Sequence, residues 1–216
     1  NITNEIISDI SYSANIAVNF NPDLILDFFS NNDIRIQTLV SDQYLVFPVM
    51  KKFNTFVLEI TIYLIDFLYR GRDFQRFWVL EVIARAPYFS FISVLHFRES
   101  LGLRGEDHTY LMKEHFYQAL NETEHLEEME NRGGNEYWID RFFAKHLVLL
   151  YYWIMVAYYF VSPINAYDIN MKIEKHAYET YVKYLAYHPE DTKIEQIAQD
   201  ELDHARELQV AMSMIQ

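Results

Sequence analysis

From Phe53 onward, apolar residues recur at helical rather than strand spacing. The pattern predicts helices near 54–69, 73–101, 107–131, 136–162, 165–187 and 192–213. Each break has a local cause. Gly71 separates the first pair, Gly102 and Gly105 the second, and Gly133-Gly134 the third. Ser162-Pro163 ends the fourth helix and His188-Pro189 the fifth, because a residue before proline avoids the helical region. Thr192-Lys-Ile-Glu195 has the form of a capping box for the last helix. Pro87 falls inside the second helix and is expected to kink it. Residues 1–50 follow no such pattern and form a region of unclear role, ahead of a single helical domain over 51–216.

Composition agrees with a helical reading. Of 216 residues, 51% are hydrophobic, and only 5 Gly and 5 Pro punctuate them. There is no cysteine, which excludes disulfides, iron–sulfur clusters and thiolate zinc sites. A formal charge of −13 argues against a nucleic-acid partner. The start, "NITNEIISDISYS", is acidic, lacks an initiator Met, and reads as neither an Arg-rich transit peptide nor a signal peptide.

Two apolar segments stand out. Leu147–Val161 is apolar on all sides but shorter than the 18 or so residues expected of a spanning helix. "FVLEITIYLIDFLYRGR" carries Glu59 and Asp66 on one face and ends in Arg70 and Arg72. Both segments read either as buried core helices or as helices lying in one leaflet, with the arginines at the headgroups.

The chemistry emerges from spacing. Glu-x-x-His occurs twice, as Glu122/His125 and Glu201/His204, on two different predicted helices. Three residues advance a helix by about 300°, so each pair shares one face. Two further helices each carry a glutamate in an apolar context, Glu81 in "FWVLEVIARAPYF" and Glu174 in "NMKIEKHAYETYV". One Glu from each of two helices and Glu-x-x-His from two others is the ligand set of ferritin-like dinuclear bundles. Four carboxylates balance two divalent cations; without them they would repel one another in a costly interior. Carboxylate and imidazole without thiolate suit iron or manganese. The expected fold is all-α, a ferritin-like four-helix bundle with additional helices. His96, His108, His115, His146 and His188 fall outside the pattern and read as core or surface residues, as does the tyrosine stripe Tyr151, Tyr152, Tyr158 and Tyr159. His176, two residues after Glu174, points away from it and reads either as a core residue or as a residue supporting the ligands from behind.

These residues resemble the alternative oxidases, and within them the plastoquinol-oxidising plastid branch. The similarity runs from about Tyr69 to Leu185 and resumes at Ile197–Leu208. It is carried by Leu80-Glu81-Val82, "NETEHL" at Asn121–Leu126, "EKHAYETY" at Glu174–Tyr181 and Asp200–His204. "RAPYFSFISVLHFRESLG" and "GGNEYWIDRFFAKH" are similar to the plastid rather than the mitochondrial members. The resemblance implies a monotopic membrane enzyme that oxidises quinol and reduces O₂ to water at a di-iron centre. It implies two irons held by Glu81, Glu122, His125, Glu174, Glu201 and His204, with Asn121 and Asp200 orienting the histidines. Tyr181 matches a residue beside the irons, and Arg76, Leu80 and Thr180 match positions that line the quinol pocket with it.

Two departures bear on function. The connection after Leu185 is shorter than in plastid members, and Lys175 and His176 stand where mitochondrial members have glutamates. The second weighs against ubiquinol as donor. The short connection and the start together point to a cyanobacterial or cyanophage version on the cytoplasmic face of the thylakoid membrane. The expected partners are plastoquinol, O₂ and the lipid bilayer, with a homodimer left open. Ubiquinol oxidation and a soluble di-iron hydroxylase or desaturase are the alternatives. Tyr181 reads either as an electron or proton carrier or as a hydrogen-bonded core tyrosine.

Overall fold

A computed structural model describes residues 48–215; the expectation for residues 1–47 lies outside them. The described residues form six helices and no strand: α1 Pro48–Leu68, α2 Asp73–Ser100, α3 His108–Asn131, α4 Trp138–Val161, α5 Pro163–Leu185 and α6 Thr192–Met214. Helix α1 opens at Pro48, six residues ahead of the predicted start, where proline's fixed φ suits a first turn. Helix α2 continues through Pro87, which lies inside it as expected.

The helices pair through short connections. Helix α2 packs on α3 and α5 on α6, and the two pairs meet through α2 with α5 and α3 with α6. Helix α4 lies against α2 and α5, and α1 against α5. The core on one side of the bundle contains Phe77, Trp78, Leu80, Met129, Ile194 and Ile197. Fully burying side chains of this size contributes about 1.5–3 kcal/mol each.

The turns between the helices hold this arrangement. Gly134 donates its N–H to Met129 O at 2.8 Å, and a Cβ there would meet Phe74 O at 2.5 Å. Only glycine lets α2 and the end of α3 approach this closely. The last helix is capped by Asp191 rather than Thr192: its Oδ1 accepts from Ile194 N at 3.2 Å. The same carboxylate pairs with Arg132, which ties the end of α3 to the start of α6.

The outer helices carry an unusual surface. Phe53, Phe56, Ile60, Tyr63, Leu64 and Phe67 make an exposed apolar stripe along α1. On α4, Leu147, Leu149, Leu150, Trp153, Ile154 and Phe160 are exposed. Neither segment is the buried core helix that one reading allowed. Helices α2 and α4 are also long and apolar enough to cross a membrane, by length and composition. Leu147–Val161, too short by itself, is the second half of the 24-residue α4, whose isolated polar residues interrupt the apolar run without ending the helix. In α2, 72% of the most apolar stretch is buried, against 17% in α4. Helix α2 is therefore a core helix, and α4 is the outward-facing one.

Candidate metal centre

Glu81 comes from α2, Glu122 and His125 from α3, Glu174 from α5, and Glu201 and His204 from α6. All six are buried. They form two overlapping groups, Glu81/Glu122/His125/Glu201 and Glu122/Glu174/Glu201/His204, with ligand atoms within 4.8 Å of one another in each. Glu122 and Glu201 belong to both.

The donor atoms converge without satisfying one another. His204 Nδ1 lies 2.7 Å from Glu122 Oε1, and His125 Nδ1 lies 3.2 Å from Glu201 Oε1. Both nitrogens nonetheless lack an aligned hydrogen-bond partner, as do both oxygens of Glu122 and Glu201 and one each of Glu81 and Glu174. Buried polar atoms in such numbers are costly unless something pairs with them. A cluster of carboxylate and imidazole donors in this state fits hard or borderline divalent cations.

Electrostatics within the group are correspondingly strained. Burial, then the charges of Glu201 and Glu122, pushes the Glu81 carboxyl well above its ordinary range. Burial followed by Glu122 and Glu201 does the same to Glu174. Burial also works against an ionised Glu122, but the close approach and charge of His204, with the charge of His125, outweigh it and hold that carboxyl low. His125 is pushed up to about 10, because Asp200 and Glu201 overcome the effect of burial.

Residues around the group orient it. His125 Nε2 pairs with Asp200 Oδ2 at 3.1 Å, which directs Nδ1 at the carboxylates. Asn121 interacts with Asp200, the partner of His125. Tyr181 donates to Glu81 Oε1. Tyr88 donates to Glu174 Oε1 at 2.7 Å. The two tyrosines thus form a crossed pair, each seven residues after one lone glutamate and bonded to the other. Tyr88 was absent from the expected site, although the shared Glu-x₆-Tyr spacing puts it on the ligand face of its helix.

The remaining expected residues lie beside Tyr181. Leu80 and Thr180 are buried, and Arg76 Nη2 is 3.3 Å from Thr180 Oγ1. The guanidinium of Arg76 also pairs with Asp66 at 2.7 Å, a partner on α1 that no local spacing points to. Arg72 pairs with Asp140 on α4 and covers the Tyr137 ring, so it is not a free headgroup cation. His176 touches Thr180 Oγ1 at 3.4 Å. His115 is fully buried outside the group, with Nε2 2.7 Å from the Tyr167 hydroxyl.

The family model for alternative oxidases matches residues 47–206, a span that contains all six residues of the group. The chain belongs to the alternative oxidase family. A relative from Arabidopsis thaliana, ubiquinol oxidase 4, chloroplastic/chromoplastic, is 46% identical over 141 residues, which is 65% of this chain. The chain spans only 39% of that relative's length. No solved structure gives a significant match.

Proposed function

We propose that the chain is a di-iron quinol oxidase that lies on one leaflet of a membrane, oxidises plastoquinol and reduces O₂ to water. The observation that carries this reading is the group of six buried donors with unpartnered oxygens and Nδ1 atoms, inside a chain of the alternative oxidase family. Glu81 and His125 would hold one iron and Glu174 and His204 the other, with Glu122 and Glu201 serving both. The irons, when bound, supply O₂ binding and the one-electron steps that carboxylates and imidazoles lack.

The side chains do the rest. Asp200 holds a proton on His125 Nε2 and so keeps Nδ1 available. Tyr181 and Tyr88 hold protons on phenol oxygens that are hydrogen-bonded to Glu81 and Glu174. The Arg76–Thr180 pair next to Tyr181 offers hydrogen bonds to a quinol headgroup, and Tyr181 is the residue placed to pass its proton inward. Burial of the six residues keeps bulk water from the reduced centre. Two quinols release four electrons and four protons, and O₂ takes up all of them to give two waters. No charge need cross the bilayer.

Membrane attachment is supported by the exposed apolar flanks of α1 and α4. A soluble hydroxylase has no use for them. The thylakoid membrane, on its cytoplasmic face, is the site we propose, in keeping with the plastid location in the Arabidopsis relative's name. Residues 51–216 would act as one catalytic domain. That name also favours a second reading of the donor, ubiquinol.

O₂ uptake by the purified protein with plastoquinol and ubiquinol analogues, in the presence of cyanide, tests the reading. Cyanide-insensitive uptake faster with plastoquinol is expected. Iron-loaded protein that consumes no O₂ with either quinol would overturn it. Release from membranes by high salt alone, without detergent, would remove the monotopic part.

A further inference from the structure

An open cleft of about 270 Å³ runs between α2 and α4. Its α2 wall is Val82, Arg85, Ala86 and Phe89, and its α4 wall is Lys145, Val148, Leu149 and Tyr152. Both walls follow the spacing of one helix face, and each contributes a single cation to an otherwise apolar and aromatic lining. Beside the cleft lie the exposed Leu147, Leu150 and Trp153 of α4.

The cations are the informative part. Arg85 is half-buried, yet its Nε has no hydrogen-bond partner. The charges of Glu122, Glu130 and Glu81 act on it from a distance, but none of them pairs with it among the described residues. Lys145 is exposed and likewise makes no ion pair with a described residue. A buried Nε–H without a partner, on a cation with no ion pair, is unfavourable, and an acceptor-rich anion relieves it.

We propose that this cleft seats one anionic phospholipid from the bilayer, its phosphodiester between Arg85 and Lys145 and its acyl chain along the apolar walls. The inference rests on the reading that α4 faces lipid. Charge complementarity selects the occupant. Arginine and lysine are cationic donors, so they suit the charged oxygens of a phosphodiester better than an uncharged quinol. The Tyr152 hydroxyl, the other polar group in the lining, is already engaged with Ser93 at 2.9 Å. Free phosphate would leave the apolar walls of Val82, Ala86, Phe89 and Val148 uncovered. Against a chain of net charge −13, two cations in one apolar groove are a local exception that gives an anionic lipid a defined seat.

Native mass spectrometry of the iron-loaded full chain in neutral detergent, with phosphatidylglycerol and phosphatidylcholine supplied together, tests the proposal. One phosphatidylglycerol per chain is expected in preference to phosphatidylcholine. The Arg85→Gln/Lys145→Gln double variant should lose that preference by roughly tenfold or more, and Arg85→Lys/Lys145→Arg should keep most of it. Lys113→Gln, an exposed cation outside the cleft, should change nothing. Equal retention of the two lipids, or a preference that survives the double glutamine variant, overturns the proposal. So does displacement of the lipid by millimolar inorganic phosphate or by an equimolar plastoquinol analogue. O₂ uptake on the same samples separates the two readings. Selective lipid retention without quinol oxidation removes only the oxidase, and normal uptake without lipid preference removes only the lipid site.

Discussion

Glu174 and Phe67 break the same rule in opposite directions. Glu174 is fully buried, while Phe67 is 71% exposed. Around Glu174, four carboxylates and two imidazoles occupy the centre of α2, α3, α5 and α6. Around Phe67, aromatic and aliphatic side chains cover the outer face of α1, and α4 repeats the pattern. Soluble proteins place charge outside and large apolar groups inside. Each inverted region is costly in water alone, by several kcal/mol for every buried ion and by the exposed apolar area on the flanks. The inner one calls for cations and the outer one for an apolar surface. The two needs are separable, and that separation is what experiments can break.

The largest effect is expected at Glu122, which belongs to both donor groups. Glu122→Ala should abolish O₂ uptake and metal binding while helix content by circular dichroism and detergent-dependent extraction stay as in the parent protein. Loss of membrane attachment together with the metal would mean that the two regions are not independent. Tyr181→Phe should come next, lowering quinol oxidation roughly ten- to hundredfold with the irons retained. Near-normal turnover would move the quinol site elsewhere.

Tyr88→Phe should act on the other arm of the crossed pair. It removes the bond to Glu174, so iron should be lost to a chelator about tenfold faster, with a smaller effect on turnover than Tyr181→Phe. Equal effects at the two positions would show that the quinol side of the centre is not distinct.

The smallest effect concerns pH in metal-free protein. Glu81 and Glu174 are raised above their ordinary 4.5, mainly by burial. Their contribution to stability is full below that value and is lost as pH rises above it. His125, pushed from 6.5 up to about 10, contributes fully below 6.5 and is lost on the way to 10. Glu122 and Asp200 are lowered, so their contributions are lost only in acid. Metal-free protein should therefore melt at a lower temperature at pH 8 than at pH 5. Metal binding displaces the same protons, so it should tighten over that interval. A melting temperature that rises with pH without metal would contradict the buried cluster.

Much of the inner region was legible because ligand spacing is local. Glu-x-x-His and the isolated glutamates can be read within single helices; Tyr181 came from the family resemblance, and the seven-residue step after Glu174 places it on the ligand face. Tyr88 obeys the same step after Glu81 and was readable on that basis. The Asp66 partner of Arg76, the Asp140 partner of Arg72 and the Asp191 partner of Arg132 were not, since each depends on how distant helices pack. The cap of α6 was misplaced by one residue because Asp191 and Thr192 are both good caps, and Arg132 favours the aspartate. The outer region was less legible still. A helix that is apolar all round has no periodicity to show which side is buried, so Leu147–Val161 supported two readings until its exposure was seen.

The most direct test of the inner region is a ferrous titration of metal-free protein, with bound metal counted by elemental analysis. The six donors predict saturation at about two irons per chain, abolished by Glu122→Ala and matched by the appearance of quinol-dependent O₂ uptake. Saturation at one iron, or binding of two that survives Glu122→Ala, would contradict the account.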